Sequence, residues 1–167
     1  TCFSLGGPII KDRIHFFVAP EWQLEESPSA GQYLPPTGAA PPASVGTPAV
    51  IRDCQDAVND LGTDAGSTEL LQKQNPLQNV FARLDFQLPW SSRLVLRHNY
   101  GYAEDDVFSR SDTRNFFLTS NGYFFQSTKN SSVAQLPSNF PNGGYNELQV
   151  NYTTIRDRRT PRSATPL

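Results

Sequence analysis

The chain has 167 residues, is 37% hydrophobic and carries a formal net charge of −2. That length suits one ordinary domain, and the near-neutral charge gives no reason to expect a nucleic-acid partner. No run approaches the ~18 apolar residues of a membrane helix, and abundant Pro, Gly, Ser, Asn and Thr favour strands joined by loops.

The opening Thr1-Cys2-Phe3 lies mid-pattern, so the chain is expected to be a piece of a longer protein. Residues 3–10 and 14–24 are predicted as a first hairpin. Lys11-Asp12-Arg13 is its charged turn, Ile14, Phe16 and Val18 share one face, and His15 lies on the polar side. Gly6-Gly7-Pro8 suits the start or edge of a sheet.

Residues 25–77 form a long loop. Its first half is rich in Pro, Ala, Gly and Ser and reads as irregular. A helix is predicted at about 48–61, with Thr47 as cap, Pro48 at the first position and Gly62 as stop. Ile51, Cys54, Val58 and Leu61 follow helical spacing, which puts Cys54 on the apolar stripe. Residues 67–73 could add another helical turn.

The clearest signal is at 78–88 and 93–105. Val80, Ala82, Leu84, Phe86 and Leu88 alternate with Phe81, Arg83, Asp85 and Gln87; Leu94, Leu96, Tyr100 and Tyr102 alternate with Arg93, Arg97 and Asn99. Such alternation marks strands with one apolar and one polar side. With Leu88 facing Leu94, Asp85 would face Arg97 and Arg83 would face Asn99, a pairing that opposite charges favour. Phe81 would then cover Gly101, and His98 would fall in the apolar row opposite Leu84. Structural roles are therefore expected for Asp85, Arg97, Arg83, Asn99 and, at the turn 89–92, Trp90.

Residues 106–121 form a second polar excursion. A strand of weaker pattern is predicted at 122–136, a turn at 137–144 around Asn142-Gly143, and a sixth strand at 145–158 with Leu148, Val150 and Tyr152 on one face. The expected fold is all-β: an antiparallel up-and-down meander of about six strands, with one short helix in a long loop. Connections alternate short and long, which is the plan of an outer-membrane barrel.

Several motifs then resemble a known family. Leu5-Gly6-Gly7-Pro8-Ile9-Ile10-Lys11-Asp12-Arg13-Ile14-His15-Phe16-Phe17 resembles the first barrel hairpin of TonB-dependent receptors, in particular the Oar-like group. Val80–Asp85, Ser92–Tyr100 and Asn146–Tyr152, with Ile155-Arg156-Asp157-Arg158-Arg159, are similar to later strands. The resemblance implies part of an outer-membrane barrel of about 22 strands, plugged by an N-terminal domain. It implies a location in the bacterial outer membrane, contact with lipid, uptake of an unidentified ligand, and energy delivered by the TonB complex through an N-terminal part that these residues do not include. No ligand-binding motif can be carried over.

The other reading is a soluble extracellular β-domain binding glycan or protein, with Trp22, Tyr33 and Trp90 stacking on sugars. Neither catalysis nor a cofactor or metal is expected. The acidic pairs Glu25-Glu26 and Asp105-Asp106 accompany no base, nucleophile or metal-ligand spacing, and Cys2 and Cys54 match no zinc pattern. A disulfide between them stays open, with two unrelated thiols the plainer expectation.

Overall fold

The period-two segments form strands, and they run further than their alternation does. A computed structural model of the chain describes residues 1–28, 48–68, 71–89, 91–108 and 117–163. Its elements are β1 (Leu5–Ile10), β2 (Ile14–Pro28), α1 (Pro48–Asp60), β3 (Gln72–Leu88), β4 (Ser92–Phe108), a 3₁₀ turn (Thr119–Asn121), β5 (Gly122–Asn139) and β6 (Tyr145–Pro161). The strands make one antiparallel sheet in the order β1-β2-β3-β4-β5-β6, so each pairs with its sequence neighbours, and β1 and β6 are its edges. The all-β meander is as expected. β1 is shorter than expected, beginning at Leu5, and the other strands are longer: β2 continues to Pro28, β3 begins at Gln72, β4 reaches Phe108, β5 runs through Pro137 to Asn139 and β6 ends at Pro161. Gln72 and Lys73 are strand, which overturns the expected helical turn there; residues 69 and 70 lie outside the described residues.

Three short connections close the hairpins. In the first, Asp12 takes a left-handed φ of 60° and the Arg13 amide donates to the Ile10 carbonyl at 3.0 Å. The β1–β2 ladder shifts register between Pro8 and Ile10, as a bulge does. In the second, Leu88 pairs with Ser92, and Ser91 has φ 52°. A three-residue connection closed by a left-handed residue is a common hairpin geometry. In the third, Gly143 has φ 81° and its amide donates to the Phe140 carbonyl at 3.0 Å, while the Phe140 amide donates to the Gly144 carbonyl at 2.7 Å. Asn142-Gly143 thus forms the turn its composition predicted.

The second turn corrects the expected register. Leu84 pairs with Leu96, Phe86 with Leu94, Arg83 with Arg97, Asp85 with Val95, and Phe81 with Asn99. The faces are as predicted, but the register shifts by two residues because the connection takes only residues 89–91. Asn79, not Phe81, therefore faces Gly101, and His98 faces Ala82 rather than Leu84.

By contacts the chain divides into two units: residues 1–24, 76–103 and 127–157 in the first, and residues 25–75, 104–126 and 158–167 in the second. In the first, the even-numbered row of β4 is the more exposed one. Leu96 is 37% exposed, whereas Val95 in the polar row is 3% exposed. On β6, Leu148, Val150 and Tyr152 are all exposed, Tyr152 by 68%. Buried hydrophobic side chains among the described residues are limited to Ile51, Ala65 and Val95. Soluble domains bury most of their large apolar side chains; here the apolar row of β3 and β4 is half-buried to exposed, and on the edge strand β6 nearly every residue of both rows is exposed.

The second unit contains α1. Pro48 opens the helix and Gly62, with φ 79°, ends it, its amide donating to the Asn59 carbonyl at 2.9 Å; Thr47, the expected cap, lies outside the described residues. The inward stripe is Ile51, Gln55 and Val58, while Cys54 and Leu61 are exposed. Cys54 therefore leaves the predicted apolar stripe, although it lies within the helix. Cys2 and Cys54 are both free thiols.

Candidate functional site

Alternation delivers the long polar side chains of β3 to β6 to one face, where they form a bonded row. Arg83 donates twice to Asp85, from Nε at 2.7 Å and from Nη2 at 2.8 Å. This fork is two residues apart on one strand, so both side chains share the face. Arg93 lies 3.9 Å from the same carboxylate. Arg97 Nη2 donates to Gln135 Oε1 at 3.1 Å, and Gln135 Nε2 donates to Glu147. The Tyr145 hydroxyl donates to the other Glu147 oxygen at 2.8 Å. Further along β5 and β6, Ser131 and Thr153 share a hydrogen bond at 2.9 Å, and Ser127 donates to Asp157 at 2.7 Å. Val95 lies between Arg93 and Arg97 in this row. Val95 is buried there.

Of the residues expected to matter, Asp85, Arg83 and Arg97 come together on this face, but with different partners. Asp85 does not face Arg97; it binds Arg83 and stands across from Val95. Arg97 turns to Gln135 instead. Asn99 shares the row and faces Phe81, not Arg83. Trp90 and Tyr33 lie outside the described residues. Gln135, Glu147 and Tyr145 had no place in the expected set. The odd-numbered alternation of Glu147 and Gln149 was visible, but the partner strand carries a weak pattern.

The opposite face carries a shallow groove of about 360 Å³, lined by Ala82, Leu84, Leu96, Ala134, Val150 and Tyr152, among others. His98 lies at its wall, exposed, and shares a hydrogen bond with Ser132 Oγ at 2.9 Å through Nδ1. That bond satisfies one ring nitrogen in an otherwise apolar row.

In the second unit, two distant loops are clasped. The Ser67 amide donates to Thr119 Oγ1 at 2.6 Å and the Thr119 amide returns to the Ser67 carbonyl at 3.1 Å. Gln55 Nε2 donates to the Gly66 carbonyl at 2.6 Å, tying α1 to the same point. Near the end of the sheet, the Arg162 guanidinium lies 4.3 Å from the ring centres of both Phe108 and Phe124 and 2.9 Å from Asp106.

Among the described residues, no group of three or more His, Cys, Asp or Glu side chains could hold a metal ion, and no helix is long and apolar enough to cross a membrane. In comparisons with protein-family models, curated proteins and solved structures, nothing matches this chain.

Proposed function

We propose that this chain is a segment of an outer-membrane β-barrel of the TonB-dependent receptor kind, taking part in ligand uptake across the outer membrane. One observation carries the reading: the sheet has one apolar and one polar side, and no large apolar side chain of the apolar row of β3, β4 and β6 is buried. Leu96, Leu148, Val150 and Tyr152 are exposed, whereas the row with Arg83, Asp85 and Arg97 is bonded and holds the buried Val95. A barrel wall needs that sorting, apolar toward lipid and polar toward a lumen. Pairing of every strand with its sequence neighbours, with short connections alternating with long ones, supports the same reading. The Gly6-Gly7-Pro8 hairpin motif supports the family. Transport energy would reach the barrel through a plug domain and the TonB complex, neither of which these residues supply.

The reading is tested by labelling. In a Cys2→Ser, Cys54→Ser background, Leu96→Cys and Arg97→Cys are each coupled to a polarity-sensitive fluorophore and the chain is folded into phospholipid vesicles. Position 96 should report an apolar environment, quenched by brominated acyl chains, and position 97 should not. Equal quenching at both positions, or none, would overturn the reading.

A further inference from the structure

The polar row holds three guanidinium groups, Arg83, Arg93 and Arg97, and the carboxylate of Asp85 meets the first two. Asp85 is already occupied. Arg83 grips it with two bonds and Arg93 approaches it to 3.9 Å. Arg97 stands directly across the ladder from Arg83, and like charges in that position repel. The other carboxylate of the network, Glu147, accepts from Gln135 and Tyr145. The contact made by Arg97 is with the neutral Gln135 oxygen, and its Nε is buried without a hydrogen-bond partner. A buried N–H of a charged group left unbonded is costly, and a planar guanidinium edge fits a carboxylate or phosphate.

From these three guanidinium groups and the unpartnered Arg97 Nε, we propose that the polar face holds a site for a small oxyanion, phosphate or carboxylate, centred on Arg97 and flanked by Arg83, Arg93 and Gln135. On binding, the Arg97 guanidinium would turn its buried Nε toward the ion, which would bridge the facing arginines and relieve their repulsion. The site lies entirely on one face of β3, β4 and β5, so it stands whether the opposite face meets lipid or a partner protein.

The test uses the full chain labelled with ¹⁵N-arginine, in water or in detergent micelles, whichever keeps it folded. Inorganic phosphate is titrated while the Arg Nε–H resonances are followed, with chloride at matched ionic strength as control. One resonance should move downfield and saturate. It should be missing in Arg97→Lys, and Asp85→Asn, which removes the competing carboxylate, should lower the half-saturating phosphate concentration several-fold. A shift that rises linearly without saturating indicates an adventitious ion only and overturns the proposal. So does an Arg97 resonance that stays still, or Asp85→Asn binding that is unchanged or weaker. Where Arg97→Lys fails to fold, the Asp85→Asn titration decides alone.

Discussion

Arg83 and Arg97 stand directly opposite one another across the β3–β4 ladder, and the carboxylate that makes this tolerable, Asp85, lies two residues from Arg83 on the same strand. The pair is stabilised along the strand rather than across it. A bidentate fork to Asp85 holds Arg83, while Arg97 reaches in the other direction to Gln135 on β5. The row is therefore a chain of bonds in which each strand depends on its neighbour.

Removing Asp85 should expose that dependence. Asp85→Asn leaves Arg83 and Arg93 without their shared carboxylate and should destabilise the sheet by about 1.5 kcal/mol, the low end of the range for hydrogen bonds to charged groups. Adding Arg97→Gln should restore part of the loss by removing the facing like charge. Denaturant unfolding of the two single variants and the double variant in detergent micelles forms the cycle. Strictly additive losses would show that Arg97 does not sense the positive charge left unbalanced when Asp85 is removed.

Gly66 should resist substitution more than Gly62 does. Both have left-handed φ, 75° and 79°. A Cβ on Gly66 would fall 2.3 Å from Thr119 Oγ1 and 2.6 Å from the Ser120 amide, while one on Gly62 would meet nothing within 4 Å. Gly62→Ala should lose only the backbone term, about 1–2 kcal/mol. Gly66→Ala must also break the Ser67–Thr119 clasp. Hydrogen exchange at the Ser67 amide reads this directly: protection should fall sharply in Gly66→Ala and hold in Gly62→Ala.

Arg162 should be worth more than its ion pair. It is sandwiched between Phe108 and Phe124 while bonded to Asp106. Arg162→Lys keeps a charge but loses the flat stacking surface, and should cost about 1 kcal/mol; Arg162→Ala should cost about 2 kcal/mol. Urea titrations of both variants in detergent micelles check the order. Equal effects would mean that the rings contribute nothing.

Much of this fold is legible locally. Strict alternation fixes which residues of β3, β4 and β6 share a face, and Asn142-Gly143 announces its turn. Register is less legible, because matching Asp85 to Arg97 satisfies charge in one dimension only. A left-handed Ser91, which nothing in its side chain demands, shortens the turn and moves every pair. On α1 the helical period permits either Cys54 or Gln55 beside Ile51. The choice falls to Gln55 because it bonds Gly66, on a segment that folds back beyond the helix end. The Ser67–Thr119 clasp joins residues 52 positions apart, and Gln135 meets Glu147 only once β5 and β6 are aligned. Such partners follow from strand order and loop path, which local patterns do not encode.

The two-sided sorting of the sheet is tested most directly by removing lipid and detergent altogether. The exposed row of Leu96, Leu148, Val150 and Tyr152 has no partner of its own, and the edges β1 and β6 carry unpaired backbone groups. The full chain, purified in detergent-free buffer, should sediment as heterogeneous aggregates and melt without a cooperative transition, while detergent micelles should restore ordered β-structure. A monodisperse monomer in plain buffer with a single cooperative thermal transition would contradict the barrel-segment reading and favour a soluble binding module.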